Sequence, residues 1–274
     1  MFPIVKKYNS NIRAVGTKIP ETIEFLRLYS SNYDIDYVKS KIVDENIFHI
    51  DNLRTIKNLF STLKARYAYD SEIYSVRDLT SIVNSSLDIE IIKTILFLYF
   101  AQYEYAVFEV MTECIFPLKQ DKFNMLNGSN VLSFFEDKKL EHPEYTKWSK
   151  NSCEIFSSMM LTSARNFGFL EKKNNKKYIL TNRLLPIETI GYLLYYIKKY
   201  DEEVCNSIYL KLFLITPEEL TFYLKELTNQ GFLEFTKTDD KININFKYNS
   251  LEEYIKEIVS RWEYWILIKK LNYL

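Results

Sequence analysis

Glycine and histidine are scarce in this chain, and their scarcity excludes several classes of chemistry. Only 5 of the 274 residues are Gly, so neither the Gly-rich phosphate loop nor the dinucleotide-binding pattern can be written. The two histidines, His49 and His142, lie far apart in the sequence and bring no evident partners for a catalytic triad or a zinc site. We interpret both as ordinary core or surface residues, and we expect no catalytic residue, no metal and no cofactor.

Cysteine and long apolar runs are also lacking. The 3 cysteines, at positions 114, 153 and 205, are widely spaced and predict neither a disulfide framework nor a zinc site. The most apolar stretch, residues 95–101, is short and bracketed by Lys93 and Glu104, whereas a membrane-spanning helix needs roughly 20 apolar residues. The first residues carry no long apolar run of the signal-peptide kind. We therefore expect a cytoplasmic protein without membrane contact.

Net charge is absent too, but local charge is not. The chain has 36 basic and 36 acidic residues. Residues 147–183 nevertheless hold eight basic and two acidic residues, while residues 67–146 and 201–274 carry an excess of acid. A local excess of positive charge favours polyanion binding even when the total is zero.

What the chain does have is a repeated hexapeptide, Asn-x-Gly-Phe-Leu-Glu, at residues 166–171 and again at 229–234. Each copy follows a helix-like stretch, and Asn followed by Gly is a signal for the end of a helix. The residues after each copy alternate between apolar and polar, as in a strand. A helix, a Gly stop and a short hairpin are the final elements of a winged helix, a fold that binds more often than it catalyses.

Periodicity and capping signals predict a mainly α protein, a helical bundle with two winged-helix-like modules that each carry a short β-hairpin. The predicted helices cover about residues 20–29, 34–46, 52–67, 71–84, 88–116, 130–139, 150–167, 186–200, 202–215, 217–230 and 251 onward. We place the N-terminal helical domain at 1–125, a basic module at 126–200 and an acidic module at 201–274, with no Ser/Gly/Pro-rich linker between them.

The basic module is the candidate nucleic-acid site. In a winged helix the helix before the hairpin enters the major groove, where Lys, Arg, Ser, Thr and Asn reach phosphates and base edges. Such residues on and just before the predicted helix are Lys147, Lys150, Asn151, Ser158, Thr162 and Arg165. Lys172, Lys173, Lys176 and Lys177 flank the hairpin turn. A solvated, non-binding turn remains the alternative for these four lysines.

Periodicity also assigns faces to this helix. The expected buried stripe is Ile155, Phe156, Met159, Met160, Ala164 and Phe167, and the expected exposed side is Lys150, Glu154, Ser157, Ser158, Thr162 and Arg165.

Three further features are open to two interpretations. The predicted helix 52–67 has a face of Arg54, Lys57, Lys64 and Arg66 without an acid, which either is a solvated cationic face or widens the DNA-binding surface through Arg54 and Lys57. Glu104, Glu109 and Glu113 lie on a predicted helix, where a solvated edge is favoured over a metal site. The second hairpin turns at Asp239-Asp240 and follows an acidic helix start, so a protein partner or a second copy suits this module better than DNA.

Over roughly residues 15–200 the order of these pieces resembles the BrxA family of BREX phage-defence systems. The matching pieces are Asp44-Glu45-Asn46-Ile47, Leu53-Arg54-Thr55-Ile56-Lys57, Leu63-Lys64-Ala65-Arg66, Tyr103 to Val110, His142-Pro143, Lys147-Trp148-Ser149, Phe167-Gly168-Phe169-Leu170, Ile179-Leu180-Thr181 and Leu185-Pro186. The resemblance implies a helical N-terminal part with a winged helix, DNA binding, no known enzymatic role, and work alongside a methyltransferase, an ATPase and other defence components. The segment after about residue 200 is longer than the family pattern.

These observations favour a non-enzymatic accessory protein of a BREX-type system that binds double-stranded DNA and contacts other BREX proteins. Two alternatives stay open: an adaptor or scaffold of the defence complex, and a winged-helix transcription regulator, which would act as a symmetric dimer. Assembly into a homo-oligomer is compatible with each of them.

Overall fold

The fold was analysed in a computed structural model that describes residues 6–69, 75–122, 125–174, 177–199, 203–238 and 241–271. It confirms a mainly α protein with small antiparallel strand pairs. The N-terminal part contains α1 (Asn11–Val15), α2 (Ile19–Ser30), α3 (Ile35–Lys39), a π-helical turn (Ser40–Asp44), α4 (Leu53–Tyr67), α5 (Val76–Asn84), α6 (Ile89–Tyr103), α7 (Tyr105–Glu109), a second π-helical turn (Val110–Ile115) and α8 (Phe116–Gln120).

The basic module begins with a strand. Its elements are β1 (Met125–Asn127), α9 (Gly128–Asp137), a 3-10 turn (Tyr145–Lys147), α10 (Lys150–Asn166), β2 (Leu170–Lys172) and β3 (Lys177–Leu180). The three strands form one antiparallel sheet in the order β1-β3-β2. Sequence periodicity missed β1, because three residues are too few to establish an alternation.

The remaining elements are α11 (Ile187–Lys198), a 3-10 turn (Val204–Asn206), α12 (Ile208–Leu212), α13 (Pro217–Asn229), β4 (Leu233–Lys237), β5 (Ile242–Phe246) and α14 (Leu251–Leu271). The prediction of one continuous helix over 202–215 is wrong. Ser207 is in an extended conformation at the N-cap of α12 and its hydroxyl accepts a hydrogen bond from the backbone N–H of Tyr209. This residue therefore separates the 3-10 turn from the α-helix.

The prediction of a single helix from Asp88 to Phe116 is also wrong. The backbone leaves the helical region at Glu104, and the helices on its two sides are bent by 109°. Its N–H still donates to the carbonyl of Phe100, while its own carbonyl accepts from Val107 and begins α7. No Gly or Pro marks this position, so no local signal for the break exists. Among the described residues no single helix has both the length and the apolarity to cross a membrane.

Both copies of the hexapeptide end a helix in the same way. Gly168 and Gly231 have positive φ angles of 90° and 69°, a conformation that favours glycine. The N–H of the following Phe reaches back five residues, from Phe169 to Ala164 and from Phe232 to Leu227, at 2.9 Å each. The chain then enters β2 or β4, so the predicted helix, Gly stop and hairpin are confirmed at both places.

The core is centred on α6 and α11, whose middle turns are buried on all sides. Helix α11 contacts α6, α13 and α14, and α14 also contacts α5. At Gly191 in α11 a Cβ atom would overlap the phenol ring of Tyr254 in α14, so the absence of a side chain lets these helices approach closely. The acidic segment is thus packed directly onto the N-terminal helices.

Candidate nucleic-acid interface

Helix α10 begins at a serine cap and presents one polar face to solvent. The Ser149 hydroxyl accepts a hydrogen bond from the backbone N–H of Ser152 at 3.3 Å. Lys147, Lys150, Asn151 and Ser158 are exposed, and Thr162 and Arg165 are half-buried. Asn151, Ser158, Thr162 and Arg165 recur at helical spacing and share this face. The Thr162 hydroxyl donates to the carbonyl of Ser158, so its proton is already used within the helix.

Two residues of α10 lie on the side opposite to the one predicted. Ser157, expected to be exposed, is fully buried and donates to the carbonyl of Cys153 at 2.9 Å. Ile155, expected in the buried stripe, is 41% exposed. Helix α10 packs against α9, β2, α1 and α7, so which of its residues are buried depends on these neighbours as well as on the apolar periodicity of the helix. A buried Ser is tolerated because it bonds to its own helix backbone.

The hairpin that follows α10 is exposed and positively charged. The side chains of Lys172, Lys173 and Lys177 are exposed; Lys176 lies outside the described residues. The N–H of Lys173 donates to the carbonyl of Lys177 at 2.9 Å, and the N–H of Lys177 donates to the Asn174 side chain at 3.0 Å. These bonds close the hairpin through backbone and amide groups and leave the ammonium groups facing water.

Strand pairing brings the hairpin beside α9 and α10. In the sheet Lys177 is paired with Asn127, the residue that caps α9 by accepting hydrogen bonds from the N–H groups of Ser129 and Asn130. A Cβ placed at Gly128 would lie 3.4 Å from the hydroxyl oxygen of Ser158. The N-terminus of α9, the middle of α10 and β3 therefore adjoin, which the sequence could not establish.

We call the basic surface the set formed by Lys147, Lys150, Asn151, Ser158, Thr162, Arg165, Lys172, Lys173 and Lys177. Within the described part of the chain, none of its five lysines forms an ion pair, and Arg165 bonds only to the amide of Asn166. Glu154 is also exposed, three residues from Asn151 and four from Ser158, so it places a negative charge on the same helix face. Arg183, counted in the basic segment, pairs with Glu90 at 2.9 Å.

The α4 face is only partly as predicted. Arg54, Lys57 and Lys64 are exposed, but Arg66 is fully buried and donates to Glu104 and to the carbonyl of Gly16. Helix α4 contacts α1, and α1 contacts α10. The contact of α4 with Gly16, next to α1, is made by Arg66 in the last turn of α4, whereas Arg54 and Lys57 lie in its first two turns.

A buried polar cluster at Tyr8 was missed by the sequence reasoning. The expected solvated edge is wrong for Glu104 and Glu109, which are each 2% exposed. The Tyr8 hydroxyl donates to Glu109, its ring stacks on His142 with centroids 3.7 Å apart, and its N–H donates to Glu144 at 2.6 Å. Burial, together with the Glu109 carboxylate, raises the pKa of the Tyr8 phenol far above its usual value. The four-residue spacing of Glu109 and Glu113 was the only local signal.

Lys138 supplies the positive charge of this cluster. Ligand atoms of Glu109, Glu141 and His142 lie within 4.8 Å of one another, an arrangement that resembles a metal site. The Lys138 ammonium, however, lies 2.8 Å from Glu113, 3.1 Å from Glu141 and 3.8 Å from Glu109. Burial lowers the pKa of Lys138, but these carboxylates outweigh it and hold the pKa above the usual value. The Lys138 ammonium therefore supplies positive charge beside the buried Glu109 and the exposed Glu113 and Glu141.

The acidic module is tied to the N-terminal part at its first helix turn. Thr216 and Glu219 form the predicted capping box of α13. The Glu219 carboxylate also binds Lys119 at 2.6 Å, and Lys119 donates to the carbonyl of Leu214. The predicted Asp239-Asp240 turn lies outside the described residues.

Comparison with known proteins identifies the family and a protein of similar fold. A family model described as BrxA matches residues 6–195. No curated protein matches the chain. Among solved structures, the crystal structure of an uncharacterized protein from Magnetospirillum magneticum aligns with a TM-score of 0.57 and 15% identity, over 70% of this chain and 97% of that one. At this identity the likeness supports the fold alone.

Proposed function

The chain belongs to the BrxA family, and from that premise we propose that it is a non-enzymatic, double-stranded DNA-binding component of a BREX-type anti-phage system, acting in the cytoplasm beside other BREX proteins. The family membership supports the defence role. DNA as the ligand is supported by one observation, which is the adjacency of the N-terminus of α9, the polar face of α10 and the basic hairpin.

The order of elements in the basic module suits this role. A strand that joins a hairpin across a sheet, with two helices between them, is the arrangement of a winged helix, and we propose that α10 enters the major groove. The Ser158 hydroxyl and the Asn151 amide are exposed on the helix face that would turn to the bases. Lys172, Lys173 and Lys177 would lie along the phosphate backbone.

Helix geometry adds to the attraction for phosphate. The first N–H groups of a helix carry a partial positive charge and bind anions well. Helix α9 is capped by Asn127, the residue paired with Lys177, and the N–H groups of Ser129 and Asn130 already donate to the Asn127 side chain. A phosphate near this point would therefore be attracted by the helix dipole and by a lysine side chain, without replacing the cap.

Salt dependence of binding tests the proposal. A labelled duplex of about 20 base pairs is titrated with the purified protein at several salt concentrations. If about five phosphates are neutralised, log affinity falls with log salt at a slope of roughly −4 to −5. Absence of binding at the lowest salt would rule out DNA as the ligand.

A protein-docking role is the second candidate, and the acidic module favours it. Residues 201–274 carry excess acid, and Glu218 and Glu226 on α13 form no ion pair with any described residue. Stable co-purification with a purified BREX component, combined with the absence of salt-sensitive DNA binding, would favour this role.

A further inference from the structure

Helix α14 continues well beyond the core on which it packs. Its buried residues are Leu251, Tyr254, Ile255 and Ile258, all in its first eight positions. The helix nevertheless runs to Leu271, which carries it on the order of 20 Å past Ile258 at 1.5 Å per residue. Every residue from Leu267 to Leu271 is exposed.

The extension is apolar where solvent would favour polar side chains. Five large apolar residues are exposed, and we call them the α14 stripe: Tyr264 at 66%, Trp265 at 45%, Leu267 at 54%, Ile268 at 39% and Leu271 at 62%. Positions 264, 268 and 271 recur at the spacing that forms one helix face. Side chains of roughly 200 Å² each, about half exposed, present on the order of 500 Å² of surface. Contiguous apolar patches of this size are often functional.

An open groove borders the stripe. It has a volume of 370 Å³ and is lined by Phe232, Trp262 and Trp265 among others, with the Arg261 guanidinium 4.3 Å above the Phe232 ring. A partner that covers the stripe can therefore also insert an apolar side chain beside it.

The charges on α14 indicate which partner fits. Lys256 pairs with Glu252, Arg261 pairs with Glu257, and the Lys269 ammonium lies 3.9 Å from the centroid of the Trp265 ring. Glu263 and Lys270 are exposed and have no ion pair in the described part of the chain. They are seven residues apart, hence at the same position around the helix, one before the stripe and one near its end. In two antiparallel helices, residues at the same position around each helix face each other across the interface. Charges that flank an interface in this way set the relative orientation of the two helices.

We propose that the α14 extensions of two copies of this chain pair antiparallel about a two-fold axis that passes between Ile266 and Leu267. In this register Glu263 faces Lys270 of the second copy, and the symmetry repeats the contact. A parallel arrangement would instead put this helix position on opposite sides of the interface in the two copies, so that Glu263 would not meet Lys270. This pairing is independent of DNA binding.

Sedimentation equilibrium of the full chain across a range of protein concentrations tests the pairing. We expect a dimer for the native protein and a monomer for Leu267→Glu/Leu271→Glu, with unchanged far-UV circular dichroism. A native protein that stays monomeric at the highest concentration overturns the proposal, as does a dimer that persists in the double variant.

Charge reversal tests the register without removing apolar surface. Glu263→Lys or Lys270→Glu alone creates two like-charge contacts and should weaken dimerisation at least tenfold. The double variant Glu263→Lys/Lys270→Glu should return the dimerisation constant to within about threefold of the native value. Lys225→Glu, at an exposed position of α13, is the control and should leave the dimerisation constant unchanged. Failure of the double variant to recover excludes this antiparallel register.

Discussion

Arg66 donates two hydrogen bonds to a single carboxylate oxygen of Glu104, from Nε at 2.9 Å and from Nη2 at 2.6 Å. Both side chains are buried, and the guanidinium also lies 4.8 Å from the centroid of the Phe100 ring and donates to the carbonyl of Gly16. The pair thus lies where α6 ends and α7 begins, and it connects α4 and the α1–α2 connection to that break.

Replacing one partner of this pair should lower the free energy of unfolding by more than replacing both partners. Arg66→Met leaves the Glu104 carboxylate buried and unpaired, which should lower the free energy of unfolding by about 3–5 kcal/mol. Arg66→Met/Glu104→Leu should recover part of that loss, although the Gly16 carbonyl stays without its donor. Urea unfolding measures both, with Lys64→Met on the exposed side of α4 as the control, expected within about 0.5 kcal/mol of the native protein. A single variant that costs under 1 kcal/mol would contradict the role of the pair.

The hairpin lysines should contribute to DNA affinity through charge alone. Lys172→Ala/Lys173→Ala/Lys177→Ala should weaken binding of all duplex sequences by a similar factor and reduce the magnitude of the salt slope by about 2–3. The matched control is Lys211→Ala/Lys225→Ala/Lys241→Ala, which removes three exposed lysines from the acidic module. Anisotropy titrations at several salt concentrations give both quantities. Equal effects of the two triple variants would show that only net charge matters and exclude the hairpin as a contact.

Glu154 provides the opposite test on the same helix face. Its carboxylate is exposed and lacks an ion pair among the described residues, so it should repel a phosphate backbone that approaches α10. Glu154→Gln should therefore strengthen duplex binding several-fold at low salt, and the gain should shrink as salt screens the charge. Glu226→Gln on α13 serves as control. If Glu154→Gln leaves affinity unchanged, α10 does not face the DNA.

Acid should weaken the contact between Tyr8 and Glu144. Burial raises the pKa of Glu144, but the Tyr8 N–H and the His142 ring outweigh it, so the pKa is lowered from its usual value. A carboxyl with a lowered pKa stabilises the folded state above its unfolded pKa of about 4.3, and this stabilisation is lost as pH falls through the folded value. Glu144→Gln should thus be about 1 kcal/mol less stable than the native protein at pH 7, with a difference that narrows below about pH 4.

Urea unfolding at a series of pH values measures that difference. Glu171→Gln, at an exposed position of β2, should show none at any pH. A constant difference between Glu144→Gln and the native protein from pH 7 to pH 3 would mean that the carboxylate charge contributes nothing to the contact.

Much of the fold followed from local signals. The helix predicted at residues 52–67 is Leu53–Tyr67, and the capping box at Thr216 begins α13 as predicted. Two copies of one hexapeptide end two helices with the same hydrogen bonds, because a Gly stop acts on its own turn of backbone. The break at Glu104 and the short strand β1 were missed, since neither carries a local mark.

The candidate site could also be predicted in part from local sequence signals. The exposure of Lys150, Asn151 and Ser158 agrees with helical periodicity, whereas Ser157 and Ile155 lie on the sides opposite to those predicted. Periodicity assumes one buried face, whereas α10 packs against four other elements, α9, β2, α1 and α7. The contact of Gly128 with Ser158 depends on how α9 meets α10, which no stretch of sequence specifies.

The sequence by itself determined the N-caps of helices such as α10 and α13, the Gly stops that end them and the concentration of positive charge in residues 147–183, because each of these depends on residues a few positions apart. Tertiary structure decided which polar groups are buried and which apolar groups are left exposed. Arg66 is charged yet buried because Glu104 lies opposite it, and Trp265 is apolar yet exposed because α14 extends past its neighbours. Burial is a property of the surroundings, and these are supplied by elements far away in the chain.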